Sequence, residues 1–260
     1  SERTGKKEVC TSDLFMGEFR VLTHDNSQAI TPRWSPDGRR LVYTSFYRGR
    51  VPDIFVIDIA NNYQRSEFAS YKGTNAGARF SPNGAFVAMS LSPTGNSDIY
   101  VGNSQGRGLK AVTHGDSVDA SPCFSPDSGR IVYTSDSGGL PQLFVISVSG
   151  GTPSRLSTGY AYSAEPDWSR GNPNKIAFTA RVGRGYQIGV YDMSTRSGRI
   201  ASKAPFDGIE PNWLADGRHI LYTARTPSQS TLCILDSETG RSTPVSPLAA
   251  QAMMASVLQP

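Results

Sequence analysis

Short apolar runs separated by polar turns organise this chain. In "RWSPDGRRLVYTSFYRGRVPDIFVIDI" (Arg33 to Ile59), the runs "LVYTS" and "DIFVIDI" are dense in Val, Ile, Tyr and Phe. Such runs suit strands buried between neighbouring sheet faces. The polar punctuation is "SPDG": Pro presets φ, Asp tolerates the bend and Gly accepts φ > 0. The pattern predicts four strands: A at Pro32–Ser35, B at Arg40–Ser45, C at Ile54–Ile59 and D at roughly Ser66–Tyr71. A Ser-Pro-Asp-Gly turn joins A to B, and a hairpin turn from Asp58 through "ANNY" joins C to D.

The same unit returns along the chain. "TPRWSPDGRRLVYTS" reappears as "AGARFSPNGAFVAMS", "SPCFSPDSGRIVYTS", "EPDWSRGNPNKIAFTA" and "EPNWLADGRHILYTA". Counted through Pro32, Gly77, Pro122, Pro166 and Pro211, the steps are 45, 45, 44 and 45 residues. A second series runs in phase: "DIFVIDI", "DIYVGNS", "QLFVISV", "QIGVYDM" and "TLCILDS". A fixed period in this range with four short strands per unit predicts an all-β propeller of four-stranded antiparallel blades.

Residues 1–260 are expected to form one domain, with full blades near 31–71, 76–114, 121–158, 165–203 and 210–246. At the ends, "EVCTSDL" reads as a strand C and "FRVLTHD" as its strand D, while "ASVLQP" aligns with "TPRWSP", putting Leu258 where Trp34 stands. Residues 1–23 and 252–260 are therefore expected to share a sixth blade, closed by pairing the N-terminal strands with the C-terminal inner strand. Its strand B is expected ahead of Ser1, which makes the chain read as a piece of a longer one.

Composition agrees with a turn-rich β protein: 26 Gly, 17 Pro and only 18% charged residues. The net charge of +4 comes without a long run of one sign, so no nucleic-acid footprint is visible. No apolar run reaches membrane-span length and no signal peptide is visible, though the abrupt start at "SERTGKK" is compatible with a removed targeting segment. Cys10, Cys123 and Cys233 have no metal-like spacing and read as reduced thiols packed as small apolar groups.

The conspicuous polar residues read as structural. Asp37, Asp127 and Asp216 occupy A–B turns, with Asn83 in the equivalent place. Asp13, Asp58, Asn103, Ser147, Asp192 and Asp236 end the C strands. Asp, Asn and Ser exchange freely in a side-chain-to-backbone turn bond, as a general base does not. His24 and His114 share equivalent strand-D ends and His219 lies on a B strand, two non-equivalent positions with no ligand partner, and no nucleophile-elbow or phosphate-loop motif is present. No catalytic residue, cofactor or protein-ligated metal is assigned; a cation such as calcium in the central channel is left open.

Recognition is expected on the B–C and D–A loops, which share one face and vary more than the turns opposite. The B–C loops carry Arg48, Arg50, Arg181, Arg184 and Arg225, with Arg3, Lys6 and Lys7 in the shared blade. The D–A loops, nearer the axis, carry Asp25, Asp116, Asp119, Glu165, Asp207 and Glu210, with Tyr160 and Tyr162. This predicts a basic rim around a more acidic throat that admits a cation or a basic peptide segment. Phe46, Tyr47, Val51 and Leu140 supply apolar anchors for a protein partner.

The "WSPDG…LVYTS…DIFVID" pattern resembles the propeller repeats of the TolB family, across essentially the whole chain. The resemblance implies a non-catalytic periplasmic scaffold of the Tol–Pal system, a monomer, touching membranes only through partners. It also implies an α/β domain ahead of the propeller, and a Pal-like lipoprotein or peptide segment bound at the axial loops. The family's contacting loop falls at Thr74–Gly77, where Thr-Asn-Ala-Gly stands for the family's His-Asn-Gly-Ala and only Asn75 matches. The next falls at Asp116–Ala120, with Ala120 in place of a threonine. Related repeats occur in the gating propellers of prolyl-oligopeptidase and tricorn-type peptidases and in some lyases, which is the competing reading.

Overall fold

Each apolar run pairs with the next one in sequence, so the sheets are antiparallel meanders. The computed structural model describes residues 6–13, 18–24, 26–203, 205–245 and 253–258. A two-stranded sheet, β1 (Cys10–Thr11) with β2 (Arg20–Val21), comes first. Blade one is β3 (Ala29–Trp34), β4 (Arg40–Ser45), β5 (Asp53–Asp58) and β6 (Gln64–Ala69). Blade two is β7 (Asn75–Phe80), β8 (Phe86–Leu91), β9 (Asp98–Asn103) and β10 (Lys110–Ala111). Blade three is β11 (Asp119–Phe124), β12 (Arg130–Ser135), β13 (Gln142–Ser147) and β14 (Ser154–Arg155). Blade four is β15 (Ser163–Trp168), β16 (Lys175–Val182), β17 (Gly185–Asp192) and β18 (Ser197–Ile200). Blade five is β19 (Asp207–Trp213), β20 (His219–Arg225), β21 (Ser230–Asp236) and β22 (Ser242–Pro244). The described residues contain no helix.

The blades meet face to face, and each hydrophobic cluster joins two neighbouring sheets, the β1–β2 sheet included. Val42 and Ile54 of blade one pack with Phe80, Met89 and Leu91 of blade two. Val132 and Leu143 of blade three pack with Trp168, Ile176 and Phe178 of blade four. Strands B and C are apolar on both sides because both faces of a blade are covered.

Each inner strand has a register break against its strand B, as between Ile30 and Arg33 or between Ile209 and Asn212. The residue inside each break has positive φ: Thr31, Gly77, Ser121, Glu165 and Glu210, at φ 50 to 65°. This bulge corrects the sequence register, because Gly77 is the counterpart of Thr31 and not of Pro32. It also builds a latch between blades. The Gly77 N–H donates to the Thr44 hydroxyl (3.1 Å), Glu165 N–H to Thr134 (3.1 Å) and Glu210 N–H to Thr179 (3.2 Å). Thr134→Val is therefore expected to cost about 1–2 kcal/mol in urea unfolding, with Thr134→Ser close to wild type, because a buried donor loses its acceptor.

Six four-stranded blades were expected, and the described residues form five. The position between blades five and one holds the β1–β2 sheet and the segment Met253–Leu258. The expected ladder between the two is absent among the described residues, since an apolar cavity separates them and no strand B lies between. The C-terminal segment nevertheless sits as an inner strand. Met254 has φ 55°, and its N–H donates to Glu210 Oε2 (2.9 Å) and to the Thr223 hydroxyl (3.1 Å). Met254 thus takes the place of Thr31, so Leu258 does not take that of Trp34.

The turn aspartates do what their spacing predicts. Asp37 accepts the Ser35 hydroxyl and the Arg39 N–H, and Asn83 repeats the pattern with Ser81 and Ala85. Asp58, Asn103 and Asp192 likewise receive backbone N–H groups of the C–D turns.

Candidate functional site

The five inner strands bring one residue each to the axis, two positions after the bulge. These are Arg33, Arg79, Cys123, Asp167 and Asn212, all lining a cavity of about 60 Å³. A second cavity of about 140 Å³ is lined by Thr31, Gly77, Glu165, Glu210 and Met254, and shares Arg33 and Arg79 with the first. A guanidinium layer therefore divides the channel. Arg79 Nη1 donates to Asp167 Oδ1 at 2.6 Å, with side chains only 14% and 11% exposed. The other oxygen of Asp167 accepts the buried Trp213 N–H at 2.7 Å. Arg33 donates to the carbonyls of Pro32 (3.0 Å) and Ala255 (3.5 Å). Burial, then the Arg79 charge, lowers its pKa to about 10, against the pull of Asp167 and Glu210. Cys123 lies beside them, and burial pushes its thiol up, which keeps it protonated and unreactive.

Above that layer stand two carboxylates. Glu165 Oε2 accepts the Thr179 hydroxyl (2.7 Å) and the Glu210 N–H (2.9 Å). Glu210 Oε2 accepts the Thr223 hydroxyl (2.8 Å) as well as Met254. Burial, followed by the Glu165 charge, raises the Glu210 pKa. A carboxyl raised on folding binds its proton more tightly in the native state. Its contribution is thus fully present at low pH and is lost as pH rises above the ordinary 4.5 and through the folded value. Glu210→Gln keeps an acceptor for Thr223 and Met254 without the charge. Its stability relative to wild type is expected to rise between pH 4 and pH 7, read from paired urea titrations.

Glu165 and Glu210 line the second cavity from inner strands and not from loops, and Arg33 and Arg79 form its floor. Among the described residues no group of three or more His, Cys, Asp or Glu side chains could hold a metal ion. These axial residues escaped sequence reasoning, although a signal existed. They vary (Arg, Arg, Cys, Asp, Asn) at the position just ahead of the repeated Trp or Phe, as expected where the strand faces the axis.

The other candidates divide by role. Asn75 is fully buried, accepting the Tyr71 N–H (2.8 Å) and donating to the carbonyls of Tyr71 and Gly73 (2.8 and 3.0 Å), so it shapes its loop. Asp119 is buried at the start of β11 and accepts the Ser117 hydroxyl, whereas Asp116 is exposed on the preceding loop. Tyr160 packs its ring on Phe178 (6.2 Å), and Tyr162 meets Tyr186 edge-on (5.5 Å). Asp207 accepts the Tyr186 N–H and pairs with Arg225 at 3.3 Å. Asp25 lies outside the described residues.

The B–C loops form the outer rim. Arg48 pairs with Glu67 and lies over Phe55. Arg65 lies 4.4 Å over both Tyr47 and Phe55, a contact the sequence did not suggest. Tyr47 (53%), Val51 (49%) and Leu140 (51%) are exposed as anticipated, while Phe46 is half-buried. In blade four β16 and β17 run to eight residues each, so Arg184 sits at the tip of a projecting two-residue hairpin.

Meander blades around a polar axis, with aromatic and arginine-bearing loops between strands B and C, define a β-propeller. Residues 1–256 match the family model described as the TolB beta propeller domain, and the chain belongs to that family. A "Protein TolB homolog" of Chlorobium luteolum is 33% identical over 151 residues, covering 58% of this chain and 34% of that protein. A "Tol-Pal system protein TolB" of Francisella tularensis is 32% identical over 186 residues, 70% of this chain and 42% of that protein. The chain thus spans well under half the length of these relatives. The crystal structure of TolB from Acinetobacter baumannii shares the fold, with a TM-score of 0.84, 23% identity, and coverage of 96% of this chain and 62% of that one.

Proposed function

We propose that this propeller is a non-catalytic, periplasmic protein-binding module of TolB type. It works as a monomeric scaffold in a Tol–Pal-like envelope assembly, and the finished ring has six blades. The family match over residues 1–256 carries the reading, together with relatives named for the Tol-Pal system. The chemistry of the loop face supports it. Exposed Tyr47 and Leu140 offer apolar anchors, Arg48 and Arg184 offer charge, and Glu165 with Glu210 waits at the axis for a cationic group. The partner is a Pal-like lipoprotein or a peptide segment that enters the axial mouth. Any cation in the channel, calcium included, would sit near the two glutamates.

Binding of purified Pal-type lipoprotein, measured by calorimetry, tests this reading. The double variant Tyr47→Ala, Arg184→Glu changes only exposed side chains, so the melting temperature should hold while affinity drops about tenfold or more, as for a lost aromatic anchor. Wild-type affinity in that variant would remove the loop face from the interaction. Charge reversal at Glu210 is the poorer probe, because its carboxylate also holds Met254 and Thr223.

A further inference from the structure

The lower half of the axial channel carries more cations than carboxylates. Its cavity of about 60 Å³ is lined by three arginines, Arg33, Arg79 and Arg170, and by one carboxylate, Asp167. Arg33 and Arg79 come from the inner strands β3 and β7, and Arg170 from the A–B turn that follows β15. Pro82 also lines the cavity from an A–B turn, so this end of the channel faces away from the B–C loops.

Asp167 is fully engaged. One of its oxygens takes the Arg79 guanidinium at 2.6 Å and the other takes the Trp213 N–H at 2.7 Å. Arg33 has carbonyl partners only, Pro32 at 3.0 Å and Ala255 at 3.5 Å. Glu210 pulls on Arg33 from the second cavity without forming an ion pair to it. Arg170, half-buried at the turn, has neither a hydrogen-bond nor an ion-pair partner among the described residues. Two positive charges therefore face one polar cavity, and no carboxylate is paired with either. Burial foremost, with the Arg79 charge also against it, lowers the Arg170 pKa, as happens at Arg33. Guanidinium groups nonetheless stay protonated at neutral pH, so the charge is not relieved by losing a proton. Buried charges in proteins are otherwise paired, because an unpaired one is costly to desolvate.

We propose that Arg33, Arg79 and Arg170 together hold one small oxyanion, inorganic phosphate or sulfate, at the turn-face end of the channel. The size fits. A water needs about 10–15 Å³ of such free space, so the cavity takes roughly four waters, or one tetrahedral oxyanion in their stead. The guanidinium fork presents parallel N–H groups to two oxygens of such an ion at once. Trp34, Phe80 and Trp168 give the cavity low-dielectric walls, where opposite charges attract more strongly than at an open surface. The ion ties blades one, two and four together across the axis, since each contributes one of the three arginines. This site lies at the other end of the channel from the loop face, and it stands independently of the function proposed above.

Titration of the 260-residue chain with sodium phosphate at constant ionic strength tests the site, read by calorimetry and by melting temperature. The expected result is saturable one-to-one binding and a higher melting temperature, with sulfate competing and chloride at matched ionic strength without effect. Arg170→Gln should weaken phosphate binding about tenfold or more, as for a lost charge-assisted hydrogen bond. Arg39→Gln, at an exposed arginine of another A–B turn, should leave it unchanged. In phosphate-free buffer Arg170→Gln should melt no lower than wild type, because the charge it removes has no protein partner. The wild type should melt higher than the variant only once phosphate is added. An equal response to chloride overturns the proposal. So does an Arg170→Gln variant that binds phosphate as tightly as wild type, or one that melts lower in the absence of any oxyanion.

Discussion

Replacing Asp167 by alanine should destabilise the protein by about 3–5 kcal/mol, the range found when one partner of a buried ion pair is removed. At this chain length that is roughly a 10 °C fall in melting temperature. Asp167 sits on the axis where blades two, four and five converge. One oxygen takes the Arg79 guanidinium and the other takes the Trp213 N–H. Its loss leaves Arg79 buried beside Arg33, another cation already disfavoured by burial and by Arg79 itself. The double variant Arg79→Met, Asp167→Leu removes both charges and should recover most of the loss, since the penalty comes from the uncompensated ion. A double variant as unstable as Asp167→Ala would show that the bridge does more than cancel its own burial.

The second large effect runs against the repeat. At the centre of strand C the blades carry Phe55, Tyr100, Phe144, Gly189 and Cys233, so a repeat consensus would restore an aromatic at Gly189. Gly189→Phe is instead expected to destabilise by more than the usual ~1–3 kcal/mol of an overpacked core, and Gly189→Ala by about that amount. Gly189 lies directly opposite Phe178, and a Cβ there would stand 2.5 Å from the ring Cζ and 2.8 Å from both Cε atoms. Phe178 is fully buried and has Tyr160 against it, so it has nowhere to move. Elsewhere the cross-strand pair stacks side by side, as Tyr43 does with Phe55 at 5.9 Å. Guanidinium unfolding of the two variants decides the matter, and a stabilised Gly189→Phe would mean that blade four can repack.

The fold was legible because a propeller repeats its instructions. Each "SPDG" sets a turn, each "LVYTS" and "DIFVID" sets a strand covered on both faces, and the spacing sets the number of units. The sequence register slipped by one residue at Gly77 and at Leu258. A left-handed bulge residue does not look special when it is Thr, Ser, Glu or Met. The candidate site was legible in part. Loop arginines and rim aromatics could be placed from topology, and Glu165 and Glu210 were correctly brought to the axis. That Asn75 is spent bracing its own loop, and that Tyr160 is a packing ring, depends on distances that strand assignment does not contain.

By itself, then, the sequence determined the all-β class, the four-stranded unit, the turn chemistry and the face that carries the variable loops. All of these follow from local periodicity and from residues acting on their near neighbours in the chain. Only the tertiary structure decided the Arg33–Arg79–Asp167 layer and the threonine latches. Each joins residues roughly thirty to two hundred positions apart in different blades, as in Arg79 with Asp167, 88 residues apart, and Arg33 with Ala255, 222 apart. Such contacts depend on how the ring brings its blades to a common axis, and no local pattern encodes that meeting.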